Sequence, residues 1–165
     1  MPESSAESVD DRCHDEVVAL HRFFEDWFNG RFPAPEAAAS GGSETDPFDR
    51  FRGVLAEGFE IIFPNGQMIG RDAILKSVHD TCGVNLRTGT PIRIWIDGFR
   101  SRPIDQGHQL VTYQEWQQTE GAPRGRRVTA VMRRQDEAPN GVEWLHVHEV
   151  WLPGTATPSA SPGKQ

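Results

Sequence analysis

The sequence predicts an α+β fold in which N-terminal helices pack on the concave face of a curved, mostly antiparallel sheet. Three observations carry this. Up to about Gly83 apolar residues recur mainly at the helical interval, as in Val17, Leu20, Phe24 and Trp27. From Pro91 the period changes to two, with Ile92, Ile94 and Ile96 alternating with Arg93, Trp95 and Asp97. The later strands are joined by short turns, the condition for antiparallel neighbours.

At 165 residues the chain suits one domain with a proper core. Its formal charge is −7, from 17 Lys+Arg against 24 Asp+Glu, which argues against general binding to nucleic acid or anionic membranes. MPESSAESVDD lacks the basic start and apolar run of a secretory signal, and no stretch has the length of a membrane span. These features read as a cytoplasmic protein. Cys13 and Cys82 are expected as free thiols in a reducing compartment. The expected division is a disordered N-terminus at 1–10, one domain at 11–152 with a flexible loop at 33–45, and a disordered tail at 153–165.

The first helix is expected to start under an Asp10 or Asp11 cap and to stop at Asn29-Gly30. His21 lies on the edge of its aromatic stripe and reads as a satisfied core histidine. Asp46-Pro47 predicts a second helix start, and Phe48, Phe51, Val54 and Leu55 give it an apolar face. Phe59–Phe63 reads as a strand, Pro64-Asn65-Gly66 as a turn, and Gln67–Ile69 as a short returning arm. A third helix opens at Gly70-Arg71-Asp72 and ends at Gly83. Four strands follow, with Gly98 predicting a bulge in the first.

The strand Val142–Leu152 carries apolar bulk on both faces. Strict alternation puts Trp144, His146, His148, Val150 and Leu152 on one side and Glu143, Leu145, Val147, Glu149 and Trp151 on the other. A sheet with one face on helices and tryptophans on the other needs a partner there, and a two-fold homodimer through the outer sheet face is the economical solution.

These residues resemble the nuclear transport factor 2-like superfamily, the cystatin-like α+β cone, and within it the SnoaL-like group and the calcium/calmodulin-dependent kinase association domain. The likeness rests on the aromatic first helix, Gly70-Arg71-Asp72-Ala73-Ile74, Tyr113-Gln114-Glu115-Trp116, and the His-x-His of Trp144-Leu145-His146-Val147-His148. It covers about residues 13–152. It implies a cone-shaped domain with a pocket under the curved sheet. Carried over residue by residue, it places His146 and His148 in that pocket with Tyr113 and Glu115. The kinase-association relatives have a tryptophan four residues before the first histidine; here that position is Val142, and Trp144 is expected to fill part of the cavity.

Two imidazoles, a carboxylate and a phenol are the groups for proton transfer beside a carbonyl or for a dehydration. His148, His146, Glu115 and Tyr113 are therefore the candidate catalytic residues, and Trp144, Tyr113, Arg133, His146 and His148 the candidate ligand-binding ones. A metal held by His146, His148 and either Glu115 or His108 lacks supporting spacing, so neither a metal nor another cofactor is expected. Arg124, Arg126 and Arg127 read as solvated edge residues, whereas Arg133 or Arg134 can turn inward to hold a carboxylate. The resulting expectation is a homodimer that binds a small organic molecule. The alternatives are a cofactor-independent isomerase, cyclase or dehydratase, and an assembly module without substrate.

Overall fold

A computed structural model describes residues 8–32 and 45–155. The loop expected at 33–45 (except Thr45) and the tail after residue 155 lie outside the described residues. Helix α1 runs Val9–Phe28, its first turn capped by the Ser8 hydroxyl accepting from the Asp11 amide at 3.1 Å. The cap is thus Ser8, not an aspartate; both aspartates sit inside the first turn, where their charge suits the helix dipole. The buried stripe is Cys13, Glu16, Val17, Leu20, His21, Phe23 and Trp27.

A short helix α2, Asp49–Arg52, precedes strand β1, Leu55–Ile62, and the return arm β2, Met68–Gly70. Val54 and Leu55, expected on the helix, instead lead into and begin the strand. Helix α3 spans Arg71–His79, and a further helix α4, Val84–Thr88, follows Gly83. Gly83 has a positive φ of 67° and its amide donates to the Trp27 carbonyl at 2.8 Å. The turn after α3 is thereby docked on the end of α1.

Strands β3 (Arg93–Pro103), β4 (His108–Gln118), β5 (Arg124–Arg134) and β6 (Val142–Trp151) complete one sheet in the order β2-β1-β6-β5-β4-β3. All neighbours are antiparallel except β1 and β6, which run parallel. The sheet is curved and unclosed. α1 packs across β3, β4 and β6, and α3 packs on β1.

Two side chains set the angle of α1. Asn29 donates to the Ile92 carbonyl at 2.8 Å and accepts from its amide at 2.9 Å, and Glu25 accepts from the Ile94 amide at 2.8 Å. β3 is irregular between Asp97 and Arg100, and Gly98 there has φ +61°. A second irregularity matters more. β5 and β6 pair Val131 with His146 but Met132 with Trp144, so Leu145 is an extra residue in β6. Its physical effect is to reverse facing on either side of Leu145. Val142, Trp144, Val147 and Glu149 are buried against the helices, while His148 is exposed and His146 only partly covered on the outer face. The sequence expectation that both histidines share a face with Trp144 is corrected by this bulge.

Candidate functional site

A cavity of about 250 Å³ lies between α1, α3 and the concave sheet face. Most of its wall is apolar: Phe24 and Phe28 from α1, Phe51, and Phe59, Ile61 and Phe63 from the β1 arm. Trp144 also lines it without closing it, because its indole N–H is drawn aside to Glu16 Oε1 at 3.1 Å. Glu16 is fully buried and also accepts from both terminal nitrogens of Arg50 and from Asn140 Nδ2. This carboxylate is a structural pin joining α1, α2 and β6.

The polar groups converge on one side. On β4, alternation brings Tyr113, Glu115 and Gln117 inward, and on β5 it brings in Arg126. Arg126 lies opposite Glu115 in the sheet register. It donates to Glu115 Oε1 at 2.5 Å and to Glu149 Oε2 at 2.8 Å, one guanidinium between two carboxylates. Gln117 Nε2 donates to the same Glu115 oxygen. His21 comes from the opposite layer: its Nδ1 lies 2.7 Å from the Val17 carbonyl and its Nε2 3.1 Å from Glu115 Oε2. A carbonyl only accepts, so Nδ1 carries a hydrogen. The Nε2–Glu115 contact is then a hydrogen bond only if one proton lies between them.

Burial alone raises the Glu115 carboxyl, but Arg126 and His21 together outweigh it and hold it well below the usual carboxylate range. Glu149 goes the other way. Burial, only partly offset by Arg126 and reinforced by the Glu115 charge, pushes it up to about 7. Tyr113 is raised well above its ordinary value by burial first, then by Glu115 and Glu149, so it remains a phenol donor. Among the described residues no hydrogen bond is made by the Tyr113 hydroxyl. The cluster therefore offers a free phenol, a carboxyl that titrates near neutrality and a strongly held carboxylate, facing an apolar wall.

Of the sequence-predicted site residues, the structure brings together Tyr113, Glu115 and Trp144. His146 and His148 lie across the sheet from them, and Arg133 faces outward, paired with Glu143. Arg126, read from sequence as a solvated edge residue, is the inward arginine. The signal was present: Arg126 is in phase with Val128, Ala130 and Met132, a small-apolar run that had to face the helices. Gln117 and Glu149 were also missed, while His21, read as a satisfied core histidine, is buried with both ring nitrogens partnered and lines the cavity as well. His21 has Val17 four residues before it and Phe24 three after, and Glu149 is in phase with Val147. Cys13 is fully buried and burial pushes its thiol up to about 12, the opposite of an activated nucleophile. Among the described residues no cluster of three or more His, Cys, Asp or Glu could hold a metal ion, and no helix is long and apolar enough to cross a membrane.

An open, curved sheet packed on helices is the cystatin-like α+β fold. The chain belongs to the family described as Sucrose-6-phosphate phosphohydrolase C-terminal, which matches residues 13–153. Sucrose-phosphatase 2 from Nicotiana tabacum is 25% identical over 149 residues, covering 86% of this chain and 31% of the relative. The chain thus spans about a third of the length of the curated relatives it matches. Among solved structures, an NTF-2 like protein of unknown function from Pseudomonas aeruginosa superposes with a TM-score of 0.67 at 23% identity, covering 86% of this chain and 98% of that one. The CaMKII hub of S. rosetta gives 0.57 at 12% identity, covering 92% and 100%. At these identities the structural likeness is one of fold.

Proposed function

We propose that this chain is a binding module for a small, mainly apolar molecule carrying one polar head, with the head held at the Tyr113–Glu115–Arg126–Glu149 side of the cavity. The carrying observation is the cavity itself: an aromatic wall facing a few convergent polar groups, the usual composition of a small-molecule site. A phosphorylated sugar, the substrate class in the name of the sucrose-phosphatases, suits this cavity poorly. Arg126 is the one lysine or arginine on its wall among the described residues, and it already serves two carboxylates. In this reading the chain corresponds to an accessory part of those enzymes.

The test uses Ser77, which is exposed yet lines the cavity. Ser77→Phe should block the cavity without disturbing the core. Binding of phenethyl alcohol and similar uncharged aromatic probes, followed by calorimetry and protein-observed NMR, is expected for the wild type and lost in Ser77→Phe. Equal binding by both proteins, or no binding by the wild type of any such aromatic probe, uncharged or charged, would remove this reading.

A second reading, acid–base catalysis without a cofactor, is favoured by one observation: Glu149, pushed up to about 7, lies beside the Tyr113 phenol and the His21–Glu115 contact. In this reading Glu115 and Tyr113 keep the roles expected of them, and His21 and Glu149 take the place of His146 and His148.

Self-association through the outer sheet face accompanies either reading. Trp95 and Trp116 stack there with ring centroids 6.3 Å apart, Val150 is 47% exposed, and hub-type relatives share the fold. Val150→Glu should lower the mass seen by analytical ultracentrifugation. An unchanged monomer in both proteins would refute the dimer. The cytoplasmic location expected from the sequence belongs with this proposal.

A further inference from the structure

The two carboxylates of the cavity are unequally provided for. Glu115 accepts from Arg126 and Gln117 and lies 3.1 Å from His21 Nε2, whereas among the described residues Glu149 accepts from Arg126 alone and its Oε1 has no partner. Its side chain is only 7% exposed, and the unpartnered oxygen opens on the cavity that Glu149 lines. A buried carboxylate with one shared donor favours an added positive hydrogen-bond donor. The groups facing Glu149 are Arg126 on β5, Glu115 and Tyr113 on β4, and His21 on α1; α3 contributes Ile74, Ser77 and Val78, none of which titrates.

The remaining wall acts in the same direction. Seven aromatic side chains line the cavity, the six residues Phe24, Phe28, Phe51, Phe59, Phe63 and Trp144 together with Tyr113. Aromatic faces attract ammonium groups and are indifferent or hostile to carboxylates. The chain's net charge of −7 draws cations toward it as well.

Resting on the binding reading above, we infer that the cavity selects a small organic cation, a primary or substituted ammonium on an apolar body. The ammonium donates to the free oxygen of Glu149, and the body lies against the phenylalanines. Binding holds Glu149 ionised, so a proton leaves Glu149 when the complex forms in the range where that carboxyl is partly protonated.

The experiment compares three probes with one body: phenethylamine, phenethyl alcohol and phenylacetate, titrated into the whole chain by calorimetry in buffers of different ionisation enthalpy. The amine is expected to bind about tenfold more tightly than the alcohol, and the acid most weakly. Amine affinity should strengthen as pH rises through about 7, with proton release visible as a buffer-dependent enthalpy, while alcohol affinity changes little. Glu149→Gln, checked for an unchanged circular dichroism spectrum, should reduce amine binding to the level of the alcohol. Arg126→Lys should leave the order of preference intact.

Equal binding of amine and alcohol, or strongest binding by the acid, would overturn the cation inference and leave the binding module standing. Failure of all three probes would overturn both. An amine preference that survives Glu149→Gln would also sink the inference, since the charge would then be read elsewhere.

Discussion

Trp144 and His146 are separated by one residue, yet they face opposite sides of the sheet. Met132 pairs with Trp144 and Val131 with His146, so the extra Leu145 reverses the facing between them. Had β6 alternated strictly, either the indole would leave the cavity or the imidazoles would enter it. The bulge thus decides which groups form the site.

It follows that the histidine pair is dispensable to the cavity. His148→Ala and His146→Ala should each alter stability by less than about 1 kcal/mol, as surface changes do, and should leave probe binding as in the wild type. Urea denaturation and calorimetry on the two variants check this. A loss of binding in either would return the histidines to the site.

Glu16 should behave in the opposite way. It is fully buried and holds Arg50, Asn140 and the Trp144 indole at once. Glu16→Ala leaves those donors without their acceptor, and removing one partner of a buried pair costs on the order of 3–5 kcal/mol. The expected result is a large drop in the urea midpoint, with the Trp144 fluorescence shifting to the red in whatever native protein remains.

Glu149 predicts a pH profile. Its folded-state value is raised from 4.5 to about 7, so the folded protein holds its proton more tightly than the unfolded chain. That stabilisation is fully present below about 4.5 and is lost as pH rises through about 7. Glu115 has the opposite sign: its stabilisation is present above the unfolded value and is lost only as pH falls toward its lowered folded value. Between about pH 5 and pH 8 the Glu149 effect should dominate, with stability falling by on the order of 2 kcal/mol. Glu149→Gln should flatten that slope, measured as urea midpoints across the range. A wild-type slope of the opposite sign would show that Glu149 is not raised.

Gly125 is a packing position on the outer face. A Cβ there would lie 2.7 Å from Leu152 Cδ1 and 2.9 Å from the Trp116 ring. Gly125→Ala should therefore push Trp116 off the strand and cost roughly 1–3 kcal/mol, the range for overpacking. Thermal unfolding and a changed near-ultraviolet tryptophan signal would register it.

Most of the frame was readable from residue spacing. The α1 stripe follows from the period of 3.6 and the turn at Pro64-Asn65-Gly66 from its residue types; the period of two puts Tyr113 and Glu115 on one face, and the family resemblance is what places that face inward. Three features were not readable in the same way. Leu145 has no sequence mark of a bulge, and the apolar bulk on both faces of β6 first reads as an exposed second face. In hindsight the three-residue step from Trp144 to Val147 is its trace. The choice between Arg126 and Arg133 depends on strand phase, and one residue of error exchanges them. His21 and Glu115 are far apart in sequence, and only the pinning of α1 by Asn29 and Glu25 brings their side chains together.

The parallel pairing of β1 with β6 also dictates an order of events during synthesis. β1 leaves the ribosome early, with Phe59 and Ile61 ready for burial, but its only long neighbour is made some eighty residues later. Until then one edge of the β1–β2 hairpin remains open, and the wall formed by Trp144, Val147 and Glu149 does not yet exist. The nascent chain must therefore keep an unpaired strand from mispairing while those residues are made, and the cavity closes only once β6 is in place.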